Sequence, residues 1–158
     1  MLSFVRYGSL DVGASARRNF DAAVDYLKRD PVERALFRRL EHGGHRVTLT
    51  TNSRDADYYD PNTRTIHWDP HSALRTATGG RQSPALGLAH EVDHAVHDGP
   101  REWQRANTAD PAYDTAEERR VIAGSERHAA RTLGEGVRRD HGGTCYRVAS
   151  PAAMPVIA

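Results

Sequence analysis

Cysteine is almost missing from this chain: Cys145 is the only one in 158 residues. No intramolecular disulfide can form, which excludes a small scaffold held together by cross-links. Cys145 sits in the run T-C-Y-R-V and reads as a small buried strand residue, not a nucleophile. Long apolar runs are missing too, and nothing approaches the ~20 residues that span a bilayer. A membrane partner is therefore not expected. Residues 1–10 lack a basic flank followed by an apolar stretch, so no cleaved signal peptide is expected. Export from the producing cell would need another route. Excess charge of one sign is also absent, with 22 basic against 21 acidic residues and a formal net charge of +1. That balance gives no footing for a nucleic-acid partner. Internal repeats and low-complexity blocks are lacking. The length suits one domain over residues 1–158, with its core at about 15–150.

The elements follow from periodicity and punctuation. Ser15 reads as a helix N-cap, and Phe20, Ala23, Val24 and Leu27 then share one helical face. Asp30-Pro31 opens a second helix that runs to about Leu40 and ends at Gly43-Gly44. Residues 46–51 (RVTLTT) and 63–68 (TRTIHW) read as strands, with a turn-rich stretch between them. After a Gly79-Gly80 loop, Ser83-Pro84 opens a helix to about Asp98, stopped by Gly99-Pro100. A loop carrying Trp103 and Tyr113 leads to a single helix over 115–133. A tail strand is expected at 144–150. The predicted class is α+β, with two strands ahead of a central helix.

That central helix carries H-E-V-D-H at residues 90–94. Positions i and i+4 on a helix lie about 6 Å apart on one face. Two imidazoles so placed can direct a nitrogen each at one Zn²⁺ at about 2.0–2.1 Å. Glu91, one residue after the first ligand, stands beside the open coordination position. There it can act as general base toward water activated by the ion. Nine histidines raise the odds of an accidental H-E-x-x-H to about one in forty, so the setting has to decide. Leu86, Leu88, Ala89, Ala95 and Val96 make the helix look buried, and buried histidines need partners. His97, three residues beyond His94, falls off the ligand face. Asp93 reads as a surface carboxylate, and Asp98 as a weak candidate to support a ligand ring.

A catalytic zinc needs a third protein ligand. No third histidine follows at short spacing. Glu117, Glu118 and Glu126 all lie on the next helix. Glu118 is preferred as ligand, although Thr115-x-x-Glu118 also has the pattern of a capping box. Glu126 is the alternative, although a mid-helix glutamate usually faces solvent. Tyr113, Arg138 and His141 are candidates to contact the substrate or stabilise its oxyanion. The strand at 63–68, if at a sheet edge, could pair with an extended peptide.

Residues 83–97 (SPALGLAHEVDHAVH) and 117–122 (EERRVI) together resemble the NleD-like effector metallopeptidases. Related domains form the C-terminal toxin portions of polymorphic and Rhs-type bacterial proteins. The likeness extends to G-S-E (124–126), L-G-E-G-V-R (133–138) and D-H-G-G-T-C-Y-R-V (140–148). It implies a zincin-like fold, with a small sheet packed on the H-E-x-x-H helix and on a following glutamate-bearing helix. It also implies a catalytic zinc held by His90 and His94, with Glu91 as acid/base and a ligand at Glu117-Glu118. The family's activity is cleavage of target-cell proteins after delivery by a secretion system, and an immunity or inhibitor protein is a candidate partner. The chain departs from the group at Glu126-Arg127-His128, where Glu-Asn is usual. A zincin-fold module that binds metal without turnover is the competing expectation. Retention of Glu91 speaks against it.

Overall fold

The computed structural model describes residues 3–153, an α+β arrangement with a mixed sheet. Residues 1–2 and 154–158 of the expected single domain lie outside the described residues. The main sheet has the order β1 (Phe4–Tyr7), β2 (Leu10–Gly13), β3 (Val47–Thr51), β5 (Thr65–Trp68), β4 (Tyr58–Asp60). β2, β3 and β5 run parallel, and β1 and β4 close the edges antiparallel. The crossover from β2 to β3 is the helix pair α1 (Arg17–Leu27) and α2 (Pro31–Glu41). The expected edge position for the strand at 63–68 is corrected here. β5 has neighbours on both sides, and the edge belongs to β4 in the stretch read as a turn.

Both helices pack on α3 (Pro84–Val96), the helix that carries H-E-V-D-H. α3 is buried nearly all round, its polar residues His90, Glu91, Asp93 and His94 included, which marks a helix enclosed by its neighbours. Trp68 and Leu88 are fully buried in the core it completes. The Trp68 indole N–H donates to the Pro84 carbonyl at 2.8 Å, fixing where α3 starts. Ser83 caps it through Leu86 N–H, and Glu135 accepts from both Ser83 N–H (2.6 Å) and Ser83 Oγ (2.8 Å). A carboxylate at that end also suits the helix dipole. The segment after Leu133 reaches back further still. A Cβ on Gly136 would stand 2.5 Å from Arg81 N and 2.7 Å from Gly80 Cα, so only glycine permits that approach.

A second, small sheet has the order β10 (Thr144–Arg147), β6 (Ser72–Arg75), β7 (Arg81–Gln82). Cys145 is on a strand as expected, but it is exposed. β10 is an edge strand with little packed over it, so the expected burial fails. Other boundaries shift for local reasons. Ala16, not Ser15, precedes α1, with no side-chain cap. α3 ends at Val96 with His97 as its C-cap, ahead of Gly99-Pro100, and Pro100 opens α4 (Pro100–Ala106), where a loop was expected. The helix expected over 115–133 is interrupted. α5 (Ala116–Val121) passes through a π turn (Ile122–Glu126) into α6 (Arg127–Leu133), with Gly124 at φ −102°, ψ −109°. β8 (Ala109–Asp110) and β9 (Asp114–Thr115) form a short hairpin before it. No helix among the described residues is long and apolar enough to cross a membrane.

One core residue is at odds with its surroundings. Glu33 on α2 is fully buried, and neither carboxyl oxygen has a hydrogen-bond partner. Burial, with Asp30, Asp93 and Glu126 near it, pushes its pKa up to about 8 from 4.5. The folded state therefore holds a proton that the unfolded chain releases above pH 4.5. Stability falls as pH rises from there through about 8. Glu33→Met is expected to stabilise the protein by about 1–3 kcal/mol at pH 8, with a smaller gain at pH 5. Urea melts at the two pH values measure this, and a less stable variant at pH 8 contradicts it.

Candidate metal centre

One helical turn brings His90 and His94 together, with their Nε2 atoms 3.0 Å apart. Glu118 meets both: its Oε2 is 2.9 Å from His90 Nε2, and its Oε1 is 3.1 Å from His94 Nε2. Glu118 Oε2 is buried, and no donor is aligned to hydrogen-bond with it. The other face of each ring is already taken. His90 Nδ1 donates to Glu126 Oε2 at 2.8 Å, and His94 Nδ1 donates to Glu117 Oε2 at 2.9 Å. With both Nδ1–H groups committed outward, both Nε2 atoms and the Glu118 carboxylate converge on one spot. Such a cluster needs positive charge at its middle, as protons on the rings or as a metal ion. A tetrahedral zinc with bonds of about 2.0–2.1 Å spaces its donors about 3.3 Å apart, close to the distances found. An N₂O donor set is one zinc accepts, so the residues present fit the ion.

The glutamates thus divide their work. Glu118 fills the preferred ligand position. The Thr115 cap on its N–H is present, at 3.1 Å, but the Glu118 side chain turns to the histidines instead of closing a capping box. Glu126, the alternative ligand, is corrected on two counts. It is buried rather than facing solvent, and it holds the outer nitrogen of His90, not the inner one. Ligand atoms of His90, Glu91 and His94 also lie within 4.8 Å of one another. Glu91 Oε1 is 4.0 Å from His90 Nε2, farther than Glu118, which suits a base better than a ligand.

Behind each histidine stands a carboxylate, and behind each carboxylate an arginine. Arg138 donates to Glu126 through Nε (2.7 Å) and Nη2 (2.8 Å). Arg105 and Arg120 do the same for Glu117 at 2.6–2.8 Å. Arg120 also holds Asp93 at 2.8 Å, and Ser125 and His97 complete that group. Asp93 is therefore buried, against the expectation of a surface carboxylate. His97 points at Asp93, away from the ligand pair. Asp98 accepts from Tyr59 (2.6 Å) and Trp103 (2.8 Å) and supports no ligand ring. Arg105, Arg120 and Ser125 escaped the sequence reading. The i,i+3 pair Glu117–Arg120 was its one local trace.

The charges follow from these contacts. Burial would lower the His94 pKa, but hydrogen bonds with Glu117 and Glu118 override it and raise the value to about 9. His90 is likewise driven up against burial, by Glu118 and Glu126. Burial opposes ionisation of Glu126 and Glu117. His90 and Arg138 hold the first at about 2, and Arg120, His94 and Arg105 hold the second there. Such outer carboxylates fix ring orientation and strengthen the ligands. Glu126→Gln should weaken zinc binding about 10- to 100-fold. Competition against a zinc-chelating dye reads this, and an unchanged Kd removes Glu126 from the centre.

The centre opens into a cleft of roughly 580 Å³ lined by Glu91, Arg138 and His141, among others. His141 Nε2 is 3.4 Å from Glu118 Oε2, and the ring is about half exposed. Arg138 is committed to Glu126 and acts as a positioning residue. Tyr113 is corrected. It is buried in the β8–β9 hairpin under Arg119, with the guanidinium 5.5 Å from its ring centroid, and does not line the cleft. Comparison with family models, curated proteins and solved structures gives no match.

Proposed function

We propose that this chain is a zinc-dependent endopeptidase of zincin-like fold, with His90, His94 and Glu118 as ligands and Glu91 as general base. The observation that carries it is the convergence of two Nε2 atoms and one carboxylate, 2.9–3.1 Å apart, on one buried spot. A Zn²⁺ ion held there would acidify water and polarise a peptide carbonyl.

The chain's own residues supply the rest. Glu91, on the cleft, takes a proton from the attacking water and passes it to the departing amine nitrogen as the C–N bond breaks. His141, about half exposed beside Glu118, can turn a ring N–H to the carbonyl oxygen. Among the described residues β4 pairs only with β5, which leaves its outer edge unpaired, beside α3, for an extended substrate strand. The resemblance of residues 83–97 and 117–122 to NleD-like metallopeptidases supports placing the activity in an effector or toxin domain that acts on proteins of a target cell.

Chelation provides the test. Dialysis against a strong chelator should abolish cleavage of a denatured protein substrate, and one equivalent of zinc should restore it. Cleavage that survives complete removal of metal overturns the proposal.

A further inference from the structure

The cleft is acidic although the chain as a whole is nearly neutral. Seven carboxylates and one arginine line it among the described residues. Most have a partner or a task. Glu117 is held by Arg105 and Arg120, Asp55 by Arg147 at 3.0 Å, and Glu91 and Glu118 belong to the centre. Asp57 accepts from Asp69 N–H at 2.7 Å. Glu102 differs from these. It lies on α4, is only 6% exposed, and its Oε2 has no hydrogen-bond partner. Glu117 and Asp98 beside it are carboxylates, Asp98 close enough for a hydrogen bond, and His94 is the one neighbour that favours its charge. A carboxylate oxygen of Glu102 lies within 4.8 Å of a ring nitrogen of His94 and an oxygen of Glu117, so the Glu102 carboxylate stands beside the centre.

We infer that Glu102 forms a subsite for a basic side chain of the substrate, lysine or arginine, next to His94. A buried acceptor without a donor costs free energy unless a ligand supplies one. A cationic side chain supplies both the donor and the missing charge. Ala106, one turn along α4 on the same face, and Tyr59 offer apolar surface for the aliphatic stem. Asp114, exposed on the same cleft, adds to the field that draws a cation in.

The inference rests on the peptidase reading, because it names what that cleft holds. The test uses the zinc-loaded protein and tripeptide hydroxamates carrying lysine, or its neutral analogue norleucine, at each position in turn. At one position lysine should bind about tenfold more tightly than norleucine, the effect of a charge-assisted hydrogen bond. Glu102→Gln should bring that ratio near one, and Glu102→Asp, which withdraws the charge, should lower it. Asp114→Asn should reduce it only slightly. The wild-type comparison stands even where a Glu102 variant folds poorly. Equal binding of both series at every position overturns the subsite and leaves the metal centre standing. A lysine preference that survives in Glu102→Gln does the same. Failure of every hydroxamate to bind overturns the subsite together with the centre.

Discussion

Glu91→Gln is expected to keep a full equivalent of zinc and to lose turnover by about 10³-fold, the scale of a lost general base. Glutamine matches glutamate in shape but cannot take a proton. Glu91 stands 4.0 Å from His90 Nε2, while Glu118 occupies the nearer position at 2.9 Å. The ion should therefore not notice the change. Elemental analysis, a thermal melt and kcat on one substrate settle it together. Loss of zinc in this variant would exchange the roles of Glu91 and Glu118. Turnover near the wild-type rate would move the base elsewhere. Asp57 is then the first alternative, since it lines the cleft near Glu91.

His90→Ala should drop zinc affinity by three orders of magnitude or so, roughly one ligand's share of a tight site. The same change leaves Glu118 and Glu126 short of a partner they both touch. The metal-free variant should accordingly melt below metal-free wild type, because buried charges lose their counter-ion. His94→Ala should behave alike through Glu117 and Glu118. Full zinc occupancy in His90→Ala would end the ligand assignment.

What the sequence made legible was the part governed by local rules. Asp30-Pro31 and Ser83-Pro84 place α2 and α3 correctly, since a capping side chain and a proline at the first position act within one turn. The spacing of His90 and His94 fixes their meeting for the same reason. The same logic applies to Gly99-Pro100, whose proline was read only as a stop. Strands of two to four residues such as β4, β6 and β7 carry too few positions for alternation to emerge. They exist because neighbours pair with them. The burial of Glu126 and Asp93 depends on arginines that lie 12 and 27 residues farther along the chain, Arg138 and Arg120. No periodicity reports such a pair. Cys145 misled in the opposite direction, because strand propensity says nothing about which side of a sheet lacks a cover.

The stretch that follows α6 makes three separate contacts around the centre. Glu135 ties down the first turn of α3, Gly136 locks against Gly80, and Arg138 braces the carboxylate behind His90. Ribosomes release a chain from its N-terminus onward, so H-E-V-D-H leaves the exit tunnel well before these braces do. During translation the histidines are out but not yet held in place. If the peptidase reading holds, a nascent chain would lack a braced metal centre until residues 135–138 have emerged.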